Sequence, residues 1–450
     1  MVFLRSVRAG ALAFVMCSVP AMAHAETLRE ALTSAYINNP TILSALLNVK
    51  ATAENIALAK SAQRPTIGAQ ATLTQNFVTG MALPAPQGTV GASLSQTIFD
   101  NFKSDADIEA ARALTEASRY ALQNSEQNVL LAVVQAYMGV IQYTQIVQLR
   151  QASVKFYQAQ VGSANDRLKI GEGTKLDVSQ AQARLAVATA AYQSAVASLQ
   201  TNQATYERYV GHKPRNLSSS YNLGKLMPRS IDSAVNEAVT SNPAILAAKA
   251  AIRASQANSD SANAAFGPTL DMVGSIGGTL FGGTVGTPTT PAGSLKFSLT
   301  VPIYAGGALG ASIRKANISQ VKSEVDALAA RDQVKEATIT AWATLQNATA
   351  QIASADSAVA AGQLSLDGVI QERDVGQATT LDVLNAQAEL TTTKEGLIQA
   401  NAGRVIASFA LVAATGHLTA ADLGLGVEVK TGEDYIAKVE DVWAELRALD

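Results

Sequence analysis

The chain has 450 residues, a formal net charge of −2, and only 5% aromatic and 16% charged residues. That balance excludes a nucleic-acid partner held by a basic surface. So few large side chains are also poor material for a compact core, whereas abundant alanine, serine, threonine and glutamine suit helices packed closely through small residues.

The chain opens on a secretory signal over residues 1–25. Arg5 and Arg8 supply the positive start, Ala9 to Val19 the apolar stretch, and Ala23-His24-Ala25 the small-x-small cleavage site. Cys17, the single cysteine, sits in the apolar stretch behind the bulky Met16, so no lipid anchor is expected. Cleavage removes the only thiol and with it any disulfide or thiolate chemistry. No mature segment approaches the roughly 18 uninterrupted apolar residues of a membrane-spanning helix. Insertion into a membrane must therefore use β-strands.

The mature chain repeats itself. Asn38-Asn39-Pro40 returns as Ser241-Asn242-Pro243 and Arg64-Pro65 as Gly267-Pro268, both shifted by 203 residues. Gly171-x-x-Thr174-x-Leu176-Asp177-Val178 returns as Gly376-x-x-Thr379-x-Leu381-Asp382-Val383, and Gly211-His212 as Gly416-His417, shifted by 205. Landmarks that hold register over this distance indicate duplication of one large unit.

Each unit begins with a short helix broken at Asn-Pro, where Asn39 or Asn242 caps a second helix and the proline fits its first position. In the first unit a segment without any charged residue follows, from Pro65 to Phe99. Ile67, Ala69, Ala71 and Leu73 alternate with polar residues, and Val90, Ala92, Leu94 and Ile98 repeat the pattern after a Gly/Pro-rich loop at residues 79–89. In the second unit Leu270, Met272, Ile276 and Leu280 precede a loop at residues 282–292, and Leu295, Phe297, Leu299, Val301 and Ile303 follow it. Both read as β-hairpins with one apolar face and aromatics near the strand ends (Phe77, Phe99, Phe281, Tyr304), the pattern of a transmembrane β-barrel. A soluble sheet with one wet face is the alternative. The lack of any charge from Met272 to Leu295 and from Phe297 to Ile313 weighs against it.

Proline-free runs come next, each long enough for a helix on the order of 100 Å. Val129, Val133, Ala136, Val140, Tyr143 and Val147 step by fours and threes, and Leu345, Ile352, Val359 and Leu366 recur every seven, as in coiled coils. The return helix carries a seam of Leu176, Ala183, Ala190, Ala197 and Ala204. A coiled-coil rod explains these helices if they are taken alone.

The predicted organisation has a first repeat at 26–210, with hairpin 65–99, long helix 102–170 and return helix 174–210. A connection at 211–229 leads to a second repeat at 230–417, with hairpin 268–304, long helix 308–375 and return helix 379–414. A C-terminal segment occupies 418–450. The fold class is mainly α with a transmembrane β-barrel. Two hairpins supply only four strands, an open sheet cannot stand in lipid, and closure needs about eight or more. A dimer of eight strands or a trimer of twelve satisfies this; only the wider one leaves an aqueous lumen.

Gly171 and Gly376 end the long helices, and Thr174-x-x-Asp177 and Thr379-x-x-Asp382 form capping boxes that restart the chain. In a symmetric assembly Asp177 and Asp382 also ring the far end of the tunnel, where they attract cations. His212 and His417 follow helix-ending glycines and belong to no catalytic or metal constellation, so neither enzyme activity nor a cofactor is expected.

At the two Gly-x-x-Thr-x-Leu-Asp-Val motifs the sequence resembles the TolC family of outer-membrane efflux proteins, over essentially the whole mature chain. The resemblance implies a homotrimer with a twelve-stranded barrel in outer-membrane lipid, a helical tunnel across the periplasm, and an equatorial belt that takes in residues 211–229 and 418–450. It implies a periplasmic adaptor (membrane fusion) protein and an inner-membrane ABC exporter or proton-driven drug pump as partners, no cofactor, and export of proteins or small toxic molecules. The family's tip motif falls on Gly171, Leu176, Asp177 and Val178, and on Gly376, Leu381, Asp382, Val383 and Leu384. Its acidic constriction pair falls on Asp382 and Asn385, so half the pair is missing. Its latch tyrosine and arginine fall on Arg373 and Ala378, so those contacts do not transfer. The competing reading is a soluble or surface-attached coiled-coil protein with a structural or adhesive role.

Overall fold

The computed structural model describes residues 25–77, 85–221, 223–282, 291–440 and 442–443. The signal segment, most of both hairpin loops and the end of the C-terminal segment lie outside the described residues. In chain order the elements are α1 (Leu28–Asn38), α2 (Pro40–Ser61), β1 (Thr66–Thr74), β2 (Gln87–Phe99), α3 (Lys103–Lys169), α4 (Lys175–Val210), α5 (Ile231–Ser241), α6 (Pro243–Ala264), β3 (Thr269–Phe281), β4 (Ala292–Thr300), α7 (Ala308–Asp374), α8 (Thr380–Thr415) and α9 (Glu433–Glu440).

The four strands form one antiparallel sheet in the order β1-β2-β3-β4. Its register puts Ile67 opposite Leu94, Ala92 opposite Ile276 and Met272 opposite Phe297. Since side chains alternate along a strand, the apolar residues of the four strands, Val273 apart, share one face. The other face gathers Ser93, Ser95, Asp271, Ser275, Ser294 and Lys296. Asp271 accepts from the Thr97 hydroxyl at 2.8 Å, and Ser275 and Ser294 bond at 2.8 Å. The apolar face has no protein over it: Ile67, Ile276, Leu295 and Leu299 are each more than 60% exposed. β2 begins inside the predicted loop, at Gln87. β4 ends at Thr300 and leaves Val301 and Ile303 outside it, because Pro302 has no N–H for the ladder.

The helices follow the same lateral order as the strands. α2 packs on α3, α3 on α6 and α6 on α7 beside the sheet; farther away α4 packs on α3, α3 on α8 and α8 on α7. α3 and α7 are unbroken over 67 residues, about 100 Å at helical rise. The rods beside them are assembled from two pieces. The Asn39 Oδ1 accepts the Thr41 N–H at 2.9 Å, which starts α2, while its amide donates to Tyr209 O at 3.2 Å, which ends α4. Asn242 does the same for α6 and α8, through Ala244 N and Ala414 O, both at 2.9 Å. The Asn-Pro repeats are therefore joints between coaxial helices.

One predicted seam is displaced. In α4 the buried side is Val178, Ala181, Ala188 and Ala195, whereas Leu176, Ala183, Ala190, Ala197 and Ala204 are exposed. Both stripes have heptad spacing in an alanine-rich helix, so periodicity alone did not choose between them. By composition α3 and α8 each hold an 18-residue window of mean hydropathy 1.4, but 50% and 44% of those windows are buried in the protomer. They are packing helices.

The main apolar core lies at the joints, where α1, α3, α8 and the segment after Gly416 meet around Tyr36, Leu130, Val133, Tyr137, Val412 and Leu418. Glu126 of α3 is 4% exposed there and accepts the Ala420 N–H at 2.5 Å. Burial pushes its carboxyl up from the usual 4.5 to about 7, and Asp422 adds to the rise against Lys430. The folded chain thus keeps a proton that the unfolded chain releases, and stability falls as pH rises between those values. The expected loss is up to about 3 kcal/mol, at about 1.4 kcal/mol per unit. Thermal midpoints at pH 5 and pH 8 check this: Glu126→Gln should flatten the difference.

Candidate functional site

The two helical hairpins end far from the sheet in equivalent turns. At the end of α3, Gly171 takes φ +84° and the Glu172 N–H reaches back to Arg167 O at 2.9 Å. At the end of α7, Gly376 takes φ +82° and Gln377 N–H reaches Glu372 O at 2.8 Å. A left-handed residue is required for this closure, which satisfies the last helical carbonyls.

Both return helices start with complete capping boxes. The Thr174 hydroxyl accepts from Asp177 N at 3.2 Å, and the Asp177 carboxylate accepts from Thr174 N at 3.0 Å and its hydroxyl at 2.6 Å. Thr379 and Asp382 repeat this at 3.2, 2.8 and 2.6 Å. The Thr379 hydroxyl and N–H hold the exposed Asp382 carboxyl below the usual carboxylate range. It is charged at any physiological pH.

Around these caps the motif residues divide. Val178, Val383 and Leu384 are buried, Leu381 is half-buried, and Leu176 is 65% exposed at the turn. Val178 and Leu384 share one small core with Tyr157 and Ala181, while Val383 packs with Leu366 and Leu390. Asn385 is engaged with the first hairpin: its Oδ1 accepts from Arg184 Nη2 at 2.6 Å.

That contact belongs to a set that sequence reading missed. Tyr157 donates to Leu384 O at 3.2 Å, and Arg373 donates to Gln160 Oε1 at 3.0 Å. Arg167 approaches Asp374 at 3.4 Å. Arg150 grips both carboxylate oxygens of Glu395, one of them at 2.5 Å. All five join the α3/α4 hairpin to the α7/α8 hairpin. Partners more than 200 residues apart leave no local pattern; the only cue was an arginine or tyrosine on otherwise small-residue helices.

Residues 31–212 and 234–417 match the outer membrane efflux protein family, and the chain belongs to it. The two matches start 203 residues apart (234 − 31) and end 205 apart (417 − 212), the same offsets that the sequence landmarks carry. Over 94% of this chain and 93% of the relative, the sequence is 40% identical to outer membrane efflux protein BepC of Brucella suis. To outer membrane protein TolC of Escherichia coli it is 23% identical, over 92% of this chain and 88% of the relative. Its fold is similar to that of the Campylobacter jejuni CmeC outer membrane channel, with a TM-score of 0.78 over 93% of this chain and 90% of that one at 15% identity.

The protein is an outer-membrane efflux channel. Its strands are the membrane-spanning part, and the soluble coiled-coil reading is set aside. The family and its structural neighbours are channels, not enzymes.

Proposed function

We propose that three copies close a twelve-stranded barrel and a continuous helical tunnel, a passive conduit whose far end is opened by a docked periplasmic adaptor fed from an inner-membrane ABC exporter or proton-driven pump. The observation that carries this reading is that each protomer is open along one line on both sides. β1 and β4 are sheet edges. In line with β4, the 67-residue α7 buries only Val334, Thr338, Ala348 and Leu366. It leaves Ile318, Val321, Val325 and Leu328 each more than half exposed at heptad-like steps. In line with β1, α2 exposes Leu43 and Leu47, and α4 exposes the alanine stripe from Ala183 to Ala204. An uncovered apolar stripe of this extent needs a partner, and a second copy brings the complementary edge. The native mass of the detergent-extracted channel tests this: three copies are expected, and two copies would sink the twelve-stranded reading.

At the tip, Asp177 and Asp382 from three copies place six carboxylates around the axis, and exposed Leu176 offers an apolar contact for the adaptor. Asp382→Asn keeps an acceptor for the Thr379 N–H but removes the charge. Block of single-channel current by divalent cations should weaken in this variant. Unchanged block would take Asp382 out of the constriction.

A further inference from the structure

The junctions between helices and strands line the rim of the sheet on the periplasmic side. Phe99 and Tyr304 occupy equivalent places in the two repeats (304 − 99 = 205) and are 39% and 86% exposed. Phe266, before β3, is 48% exposed. Its counterpart before β1 is Gln63 (266 − 63 = 203), which points its amide to Asp105 at 2.8 Å. Repeat symmetry would put an aromatic side chain at this fourth junction, and Gln63 leaves it without one.

The chain's C-terminal stretch supplies one. From Gly432, packed against Val49, α9 climbs along α2 toward the sheet. Tyr435 donates to Glu54 at 2.5 Å, Lys60 donates to Glu440 O at 2.9 Å, and Arg64 donates to Val442 O at 2.5 Å. Val439 is fully buried beneath it. The climb ends with Trp443 stacked on the Arg64 guanidinium, 4.5 Å from its ring centroid, two residues before β1 begins, and Trp443 is 68% exposed. Lys60 and Arg64 bond backbone carbonyls here; among the described residues neither pairs with a carboxylate.

We propose that α9, with Val442 and Trp443 beyond it, is a membrane strap that delivers Trp443 to the vacant fourth place in the aromatic belt, among the phospholipid headgroups of the inner leaflet. Indole rings favour that depth because one edge is polar and the body apolar. The positive charges of Lys60 and Arg64, which pair with no carboxylate among the described residues, complement the headgroup phosphates. The bonds of α9 to α2 and of Arg64 to Val442 and Trp443 fix the height of the ring relative to β1, so the strap ties the barrel's depth in the bilayer to the helical tunnel. This inference stands on the outer-membrane placement of the sheet and not on the number of copies in the ring.

Trp342, in the middle of α7, is the only other tryptophan. The mature channel is reconstituted in phosphatidylethanolamine and phosphatidylglycerol vesicles, with or without bromine near the headgroup end of the acyl chains. With Trp342→Phe, the emission of Trp443 should drop in brominated vesicles. With Trp443→Phe, the remaining Trp342 should be unaffected. Equal emission in both lipids, or quenching that the Trp342 control shares, overturns the proposal. Where Trp342→Phe does not assemble, the quenched difference between wild type and Trp443→Phe gives the same reading.

Discussion

Gly416→Ala is expected to weaken the assembled channel by about 2 to 5 kcal/mol per protomer. Gly416 ends α8 at φ +91°, where a β-carbon costs about 1–2 kcal/mol by itself. A Cβ there would also lie 2.8 Å from Asn242 Cα and Ser241 O, backbone atoms of the joint that cannot swing aside. Overpacking of that kind adds about 1–3 kcal/mol. The equivalent Gly211→Ala faces φ +93° but meets nothing nearer than Asn38 Cβ at 3.9 Å. It should lose only the conformational term, about 1–2 kcal/mol. Heat resistance of the oligomer on gels and circular dichroism melting rank the two variants; equal losses would mean that the joint has slack at α8.

The second large effect concerns opening. Arg150 and Glu395 face each other with side chains 26% and 15% exposed, forking across the α3/α8 contact. Breaking a buried pair costs about 3–5 kcal/mol because one charge is left alone. Partial exposure and water access at the hairpins reduce this to about 1–3 kcal/mol. At about 1.4 kcal/mol per factor of ten, Glu395→Ala should raise the open fraction of the tip roughly 10- to 100-fold, read as larger single-channel conductance in planar bilayers. Arg150→Ala should match it, and the double variant should add little. Asn385→Asp reverses the sign, since it sets a carboxylate against Arg184, now 2.6 Å from the amide oxygen. Its channels should open less often than wild type. Closed-state conductance in Glu395→Ala would show that this fork does not hold the tip.

What the sequence disclosed was whatever repeats or alternates locally. The offsets of 203 and 205 exposed the duplication, Thr-x-x-Asp announced two capping boxes that the structure contains, and alternation from Ile67 to Leu73 marked a strand. Features that depend on distant neighbours stayed hidden. Asn39 reads as a helix cap in sequence, but its amide hydrogen reaches Tyr209, 170 residues away. The alanine seam of α4 went to the wrong face because two equally spaced stripes compete, and only Leu168, Tyr157 and their neighbours on α3 decide which is covered. Arg373 looked like a departure from the family's latch, and Asn385 from its acidic constriction pair. In the folded chain they hold the two hairpins together with other partners, Gln160 and Arg184.

The paired asparagine joints have a mechanical consequence. Each hairpin combines one uninterrupted rod, α3 or α7, with one rod cut at the waist and held there by side-chain hydrogen bonds. A cut rod transmits compression but little torque. No covalent bond crosses either joint, so α3 and α7 alone carry the chain unbroken from the sheet to the far turns.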